Sequence, residues 1–310
     1  MRAVTQSAFG EPSVLRVTEV DRPEPGPGQV LVRVEAAAYN PVDAAVRAGA
    51  FPLLGDPPFT VGWDVSGVVE EAGPGVSAFA PGDEVLGLLG FPGAGNAYAE
   101  YVLASPNEIV RRPAGLTAQQ AAGLPLAGLT AWQALVGIAR VGEGDRVLVH
   151  RAAGGVGHLA VQIAKARGAY VVGTARADKH EFLRGLGADA LIDYTAEDFV
   201  TAAGPVDVVF DLVGGEYGQR SAAALRPGGL LVSALGGNPG ITPEEAAALG
   251  VRLQVVSVRP SAHDLAELTS LVEAGRLTVH VDLTVPLAEA AKAHEQGQAG
   301  RTTGKIVLVP

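Results

Sequence analysis

The sequence predicts an α/β chain, a β-rich segment followed by a doubly wound parallel sheet, and three observations point there. Residues 1–116 are dense in proline and glycine and carry short alternating apolar runs. From residue 117 onward, short continuous runs of Val, Leu and Ile alternate with stretches of helical spacing. One of those alternations holds a glycine cluster between a strand and a helix.

In the first segment, "QVLVRVEAA" (29–37), "VSGVVEEAG" (65–73), "DEVLGLLG" (83–90) and "AEYVLAS" (99–105) read as strands. Turns such as "PEPGPG" and "APGD" join them. In the second, "TAQQAAGLPLAGLTAWQALV" has helical spacing. The strand candidates are then "RVLVH" (146–150), "YVVGT" (170–174), "ALIDY" (190–194), "VDVVFDLVG" (206–214), "LLVSAL" (230–235) and "RLQVVSV" (252–258). Continuous apolar runs suit strands buried on both faces, and helices between them imply βαβ units. After a last helix, "HDLAELTSLVEAGRL", the tail "TVHVDLTVPL" and "GKIVLVP" returns to β character and is expected to rejoin the first domain.

Composition narrows the function. The 310 residues are 48% hydrophobic and 18% charged, enough to fill one large or two medium cores. A net charge of −10 argues against nucleic-acid partners and anionic membrane surfaces, which need a basic face. The cysteine count is 0, which excludes disulfides, thiolate metal sites and cysteine nucleophiles. The start, "MRAVTQSAFGEPSVL", lacks the layout of a signal peptide, and no apolar run reaches the length of a membrane span. The expected location is the cytoplasm.

Residues 152–157, Ala-Ala-Gly-Gly-Val-Gly, fit the dinucleotide fingerprint, with Ala152 at the first glycine place, Gly154 at the second and Gly157 at the third. Gly154 lets the backbone approach a pyrophosphate, and Gly157 lets the helix pack closely on the strand. Amides of the cluster, Gly155 and Val156 included, point at the phosphates from a helix start. The helix has Val156, Ala160, Ile163 and Ala164 on one face and Gly168 as its stop.

Selectivity is read at the end of the second strand. An NAD site places Asp or Glu there, roughly 20 residues past the glycines. Here the strand ends Gly173-Thr174-Ala175, followed by Arg176 and Lys179. Asp178, with Glu181 three residues on, reads as a helix capping box. Arg176, Lys179 and the Thr174 hydroxyl are the candidates for a 2′-phosphate, so the expected cofactor is NADP(H).

Taken in order, "NPVD" (40–43), "GWDVSGVVEEAGPGV" (62–76), "PGDEV" (81–85), "GLTAWQAL", "VLVHRAAGGVGHLAVQIAKARGA", "LGADALIDY" (186–194) and "GKIVLVP" (304–310) resemble the medium-chain dehydrogenases/reductases. Within them the chain is most similar to the zinc-independent quinone oxidoreductase, zeta-crystallin-like branch. The resemblance implies a GroES-like β-rich catalytic domain over 1–116 and 277–310 and a Rossmann domain over 117–276. It places Asn40, Trp63 and Leu126 where zinc-dependent relatives carry ligands, and none of the three is a good ligand. The histidines, His150 and His158 among them, read as surface or turn residues.

Without a Lewis acid the chemistry suits an acceptor that is already electrophilic, a quinone or an enone. The resemblance puts Asn40, as an oxyanion donor, and Thr130 near the nicotinamide, and adds Tyr194 to the phosphate contacts. Tyr39, Trp63 and Tyr98 are candidates for an aromatic wall, with core packing as the alternative. Asp64 and Asp83 read as turn residues. The resemblance also implies a homodimer joined along "RLQVVSV", an apolar edge strand. In one departure, Arg151 stands where the family usually has glycine.

Two other readings share the fold. An enoyl-thioester reductase needs a basic channel, for which Arg111-Arg112 is the one visible cluster. A non-catalytic, crystallin-like NADPH-binding protein needs only the cofactor site.

Overall fold

The computed structural model describes residues 1–235 and 237–310. Two compact units divide the chain: 1–129 with 259–273 and 279–310, and 130–258 with 274–278. The tail thus belongs with the first unit, as its β character suggests. Residues 117–129 and 259–273 also belong there, although their helical spacing suggested the second. The reason is packing: Ala122, on the helix Ala118–Ala122, joins a core cluster with Ala36, Ala38 and Val307. The Ala262 N–H, at the start of helix Ala262–Glu273, bonds Asn107 O at 2.9 Å.

In the first unit one sheet runs in the order Val281–Pro286, Lys305–Val309, Val30–Tyr39, Asp64–Ala72, Glu84–Leu88, Ile109–Arg111, and a separate sheet runs Arg16–Glu19, Arg2–Gln6, Phe59–Thr60. Tyr101–Ala104 also pairs with Val30–Tyr39. Val30–Tyr39 is the spine, antiparallel to both Asp64–Ala72 and Lys305–Val309. Its register sets Ala38 opposite Asp64 and Tyr39 opposite Ile306. The residue after the spine, Asn40, therefore lies beside the strand starts at Asp64 and Lys305. Pro41 opens the helix Pro41–Arg47 at its first position, where a missing N–H costs nothing. The Asn40 N–H donates to Asp43 Oδ2 at 2.8 Å and closes that turn.

The second unit is a parallel sheet whose described strands run Ala190–Ile192, Tyr170–Thr174, Arg146–Val149, Val206–Asp211, Leu225–Ser233, Arg252–Val255. Numbered along the chain this is the order 3-2-1-4-5-6 of the doubly wound dinucleotide fold, reversing between Arg146–Val149 and Val206–Asp211. Leu148, Val172, Val209 and Leu231 are buried from these strands and pack with Phe199 and Ala222 from the helices.

The last strand is shorter than the run "RLQVVSV" suggested. After Val256 N–H bonds Ser233 O at 2.9 Å, the chain leaves for the first unit. The glycine-loop helix is Gly157–Ala166, and Gly168 takes a φ of +90° just past its end. Val156 precedes that helix rather than sharing its buried face.

Candidate functional site

In a doubly wound sheet a ligand binds outside the carboxyl ends of the strands, at the reversal of strand order. Three segments meet along that edge of the second unit. The loop 151–157 follows Arg146–Val149, Arg176 and Lys179 follow Tyr170–Thr174, and Tyr194 follows Ala190–Ile192. Ala152 N–H donates to Thr174 O at 3.0 Å, and Ala175 N–H to Ile192 O at 3.1 Å, so the three are stitched together.

The loop fits a pyrophosphate. Among the described residues, the N–H groups of Gly155 and Val156 donate to no protein acceptor. They lie half-buried at the start of a ten-residue helix, where the dipole favours an anion. A Cβ on Gly157 would strike Arg151 O and lie 2.7 Å from Ala152 O, so only glycine allows this turn. Ala152, by contrast, is fully buried beneath the loop.

Thr174 has a different task from the one its place suggested. It is 1% exposed, its hydroxyl lies 3.1 Å from His150 Nδ1, and it accepts the Arg151 N–H at 3.2 Å. That hydroxyl is not available to a 2′-phosphate; it anchors the loop from below. His150, read from sequence as a surface or turn residue, is wholly buried, with Nε2 3.0 Å from Ser221 Oγ and the ring edge-on to Phe199 and Tyr217. Burial, with Arg220 nearby, pushes its pKa down to about 3 and keeps it neutral. His158 is wholly buried as well, its Nδ1 2.9 Å from Gly154 O.

Arg176 and Tyr194 are exposed and Lys179 is half-buried. The capping box expected of Asp178 and Glu181 does not form. A 3₁₀ turn occupies Ala177–Lys179, the helix begins at His180, and Lys179 stands at its cap. Asp178 instead sits between the two cations, 4.0 Å from Arg176 Nε and 3.5 Å from Lys179 Nζ. Thr130 belongs to this unit, on the helix Pro125–Trp132, and is 6% exposed.

In the first unit Asn40, one of the three places that the resemblance matches to zinc ligands, sits in a buried polar cluster of another kind. Asn40 Nδ2 donates to Asp64 Oδ2 at 2.9 Å, and Lys305 Nζ donates to Asn40 Oδ1 at 2.5 Å. Lys305 Nζ also lies 3.5 Å from Asp64 Oδ2, and Leu126 N–H donates to Asp64 Oδ1 at 2.7 Å. Burial pushes the Asp64 carboxyl up and the Lys305 ammonium down, while their proximity opposes both shifts. Trp63 Nε1 donates to Gly93 O at 2.6 Å and offers no lone pair. These residues do not fit a zinc ion, because an ammonium already occupies the Asn40 oxygen and would repel a second cation. No group of three or more His, Cys, Asp or Glu suited to a metal occurs among the described residues.

This corrects two expectations. The Asn40 amide is 2% exposed and engaged by Asp64 and Lys305, so it holds the cluster rather than facing a substrate. Asp64 is a buried strand residue, not a turn residue. Tyr39, Trp63 and Tyr98 are core: Tyr98 Oη donates to Asp43 Oδ2 at 2.9 Å, and both tyrosines meet the ring of buried His294 edge-on. Arg111 is paired with Asp83, and Arg112 with Glu35 and Glu84, so neither is a free cation for a thioester arm.

Sequence reasoning missed His150, Lys305 and Asp211. A lysine opening the apolar run "KIVLV" was the one available signal for Lys305. Asp211, wholly buried at the end of its strand, accepts N–H bonds from Val213 and Gly214 and shapes the turn there.

Family comparison agrees with the geometry. Residues 26–114 match an alcohol dehydrogenase GroES-like domain, and 186–308 a zinc-binding dehydrogenase domain. The chain is 38% identical over 316 residues to 2-haloacrylate reductase from a Burkholderia species, covering 94% of each. The structure of quinone oxidoreductase from Coxiella burnetii is 39% identical, with a TM-score of 0.94 over 100% of this chain and 99% of that one. Escherichia coli quinone oxidoreductase complexed with NADPH is 30% identical, with a TM-score of 0.90 over 100% of both.

Proposed function

Because the chain belongs to the quinone oxidoreductase family of medium-chain dehydrogenases/reductases, an oxidoreductase family with nicotinamide cofactors, we propose that it is a metal-free, NADPH-dependent reductase of quinones or of alkenes conjugated to a carbonyl. The observation that carries the metal-free part is the Lys305 ammonium on the Asn40 oxygen, at a ligand place of zinc-dependent relatives. An acceptor for such a site must be electrophilic before it binds, as quinones, enones and haloacrylates are.

When bound, the cofactor supplies the hydride. The protein's own contribution is to bind and orient. Gly155 and Val156 amides take the pyrophosphate, Arg176, Lys179 and Tyr194 the 2′-phosphate, and Thr130 the nicotinamide end. Asn40 has a structural part, holding Asp64 and Lys305 together in the fold. Two copies join along Arg252–Val255, the outer strand of its sheet, where Val255 is 42% exposed. A monomer mass by light scattering at micromolar concentration would refute that pairing. No helix among the described residues is long and apolar enough to cross a membrane, and we place the enzyme in the cytoplasm.

Oxidation of NADPH against a panel of quinones, enones, 2-haloacrylates and enoyl thioesters tests the reading. Turnover of quinones or enones that survives exhaustive chelation supports it. Loss of turnover on chelation, restored by zinc, overturns the metal-free part, and activity confined to thioesters overturns the substrate class.

A further inference from the structure

Arg151 is anomalous on two counts. Its φ is +50°, in the left-handed region where a side chain meets its own carbonyl and glycine is favoured. Its side chain, although exposed, runs along the glycine loop: a Cβ built on Gly154 would lie 3.5 Å from Arg151 Cγ and 3.7 Å from Nε. Among the described residues that guanidinium forms no ion pair and no side-chain hydrogen bond. Its backbone is held in the left-handed conformation by three bonds: its N–H to Thr174 Oγ1 at 3.2 Å, Ala152 N–H to Thr174 O at 3.0 Å, and Gly154 N–H to Arg151 O at 2.9 Å. Strain that is over-determined by its surroundings at a ligand loop is the mark of a functional constraint.

We propose that Arg151 is a pyrophosphate clamp, a cation that adds a charge-assisted hydrogen bond to the backbone amides of Gly155 and Val156 when the dinucleotide binds. The assignment rests on the cofactor reading above and is separable from it. Arg176 and Lys179 discriminate between cofactors, because only one cofactor has a 2′-phosphate. Arg151 does not discriminate, because NADPH, NADH and ADP-ribose share the pyrophosphate. The buried His150–Thr174 pair below the loop is the device that holds the arginine in place.

The test is titration calorimetry of wild type, Arg151→Gly and Arg151→Ala with NADPH, NADH and ADP-ribose, alongside thermal unfolding of the free proteins. Arg151→Gly should weaken all three ligands by about tenfold, leave the NADPH-to-NADH ratio unchanged, and make binding less sensitive to salt. It should also raise the melting temperature of the free protein by about 2–4 °C, because the left-handed residue is relieved. Arg151→Ala should weaken binding equally without that gain. Unchanged affinities in Arg151→Gly, or a loss confined to NADPH, overturn the clamp while leaving the cofactor site intact. A wild type that binds none of the three ligands overturns both.

Discussion

The charged residues of the two units are deployed in opposite ways. On the nucleotide edge of the second unit, Arg151 and Arg176 are exposed, Lys179 is half-buried, and their ion pairing is slight. In the first unit Asn40, Asp64 and Lys305 are buried to within 3% of full burial and bonded to one another. A cation left near water with its donors unsatisfied is ready for an incoming anion. A cation sealed among its own partners is satisfied already, and its removal strands the group it neutralised. On the proposed cofactor reading, the first arrangement receives a ligand, while the second is bonded within the fold.

The largest effect should come from breaking the sealed cluster. Lys305→Met leaves the Asp64 carboxylate buried without its ammonium and should cost about 3–5 kcal/mol of stability by urea unfolding. Adding Asp64→Asn should recover most of that loss, since both charges are then gone. A Lys305→Met protein as stable as wild type but without turnover would make the cluster catalytic and dissolve the contrast.

An effect of comparable size concerns pH. Burial raises the Asp43 carboxyl from 3.8 to about 7, against the pull of its bonds to Asn40 N–H and Tyr98. The folded chain therefore keeps a proton there that the unfolded chain releases near 3.8, and this group's contribution falls as pH rises between those values. Asp43→Asn should match wild type at pH 4 and exceed it at pH 8, by up to about 1.4 kcal/mol per unit of displacement. The buried histidines act in the opposite sense. His150 and His294, neutral down to about 3 when folded, cost stability as pH falls below 6.5. Parallel unfolding profiles for Asp43→Asn and wild type from pH 4 to 8 would contradict the assignment.

The smallest effect lies at the open edge. Asp178 shares its charge with Arg176 and Lys179 across exposed pairs, which are weak. Asp178→Asn should tighten NADPH by about twofold to fivefold in calorimetry and leave NADH alone. Weaker NADH binding would instead make Asp178 a ribose ligand.

The glycine loop was legible in the sequence because its geometry is its spacing: residues 152–157 are contiguous and bracketed by a strand and a helix. What surrounds the loop was not. His150 meets Ser221 across 71 residues, and Lys305 meets Asn40 across 265, so only the sheet registers bring them together. The donor's role expected of Asn40 came from the resemblance, and nothing in its local sequence reveals that two distant strands claim its amide. Asp178 misled for a local reason, since a 3₁₀ turn at Ala177–Lys179 shifts the helix start past it. The left-handed backbone at Arg151, with a φ of +50°, is likewise invisible in the local sequence, since it is a conformation that favours glycine.

The claim that the open edge exists to receive the cofactor's phosphates is tested most directly by Arg176→Ala combined with Lys179→Ala. Calorimetric titration of this double variant should show NADPH binding weakened by about a hundredfold, as expected for two charge-assisted hydrogen bonds partly screened by water, with NADH unchanged. A wild type that binds both cofactors equally, or a double variant that loses both to the same degree, would contradict it.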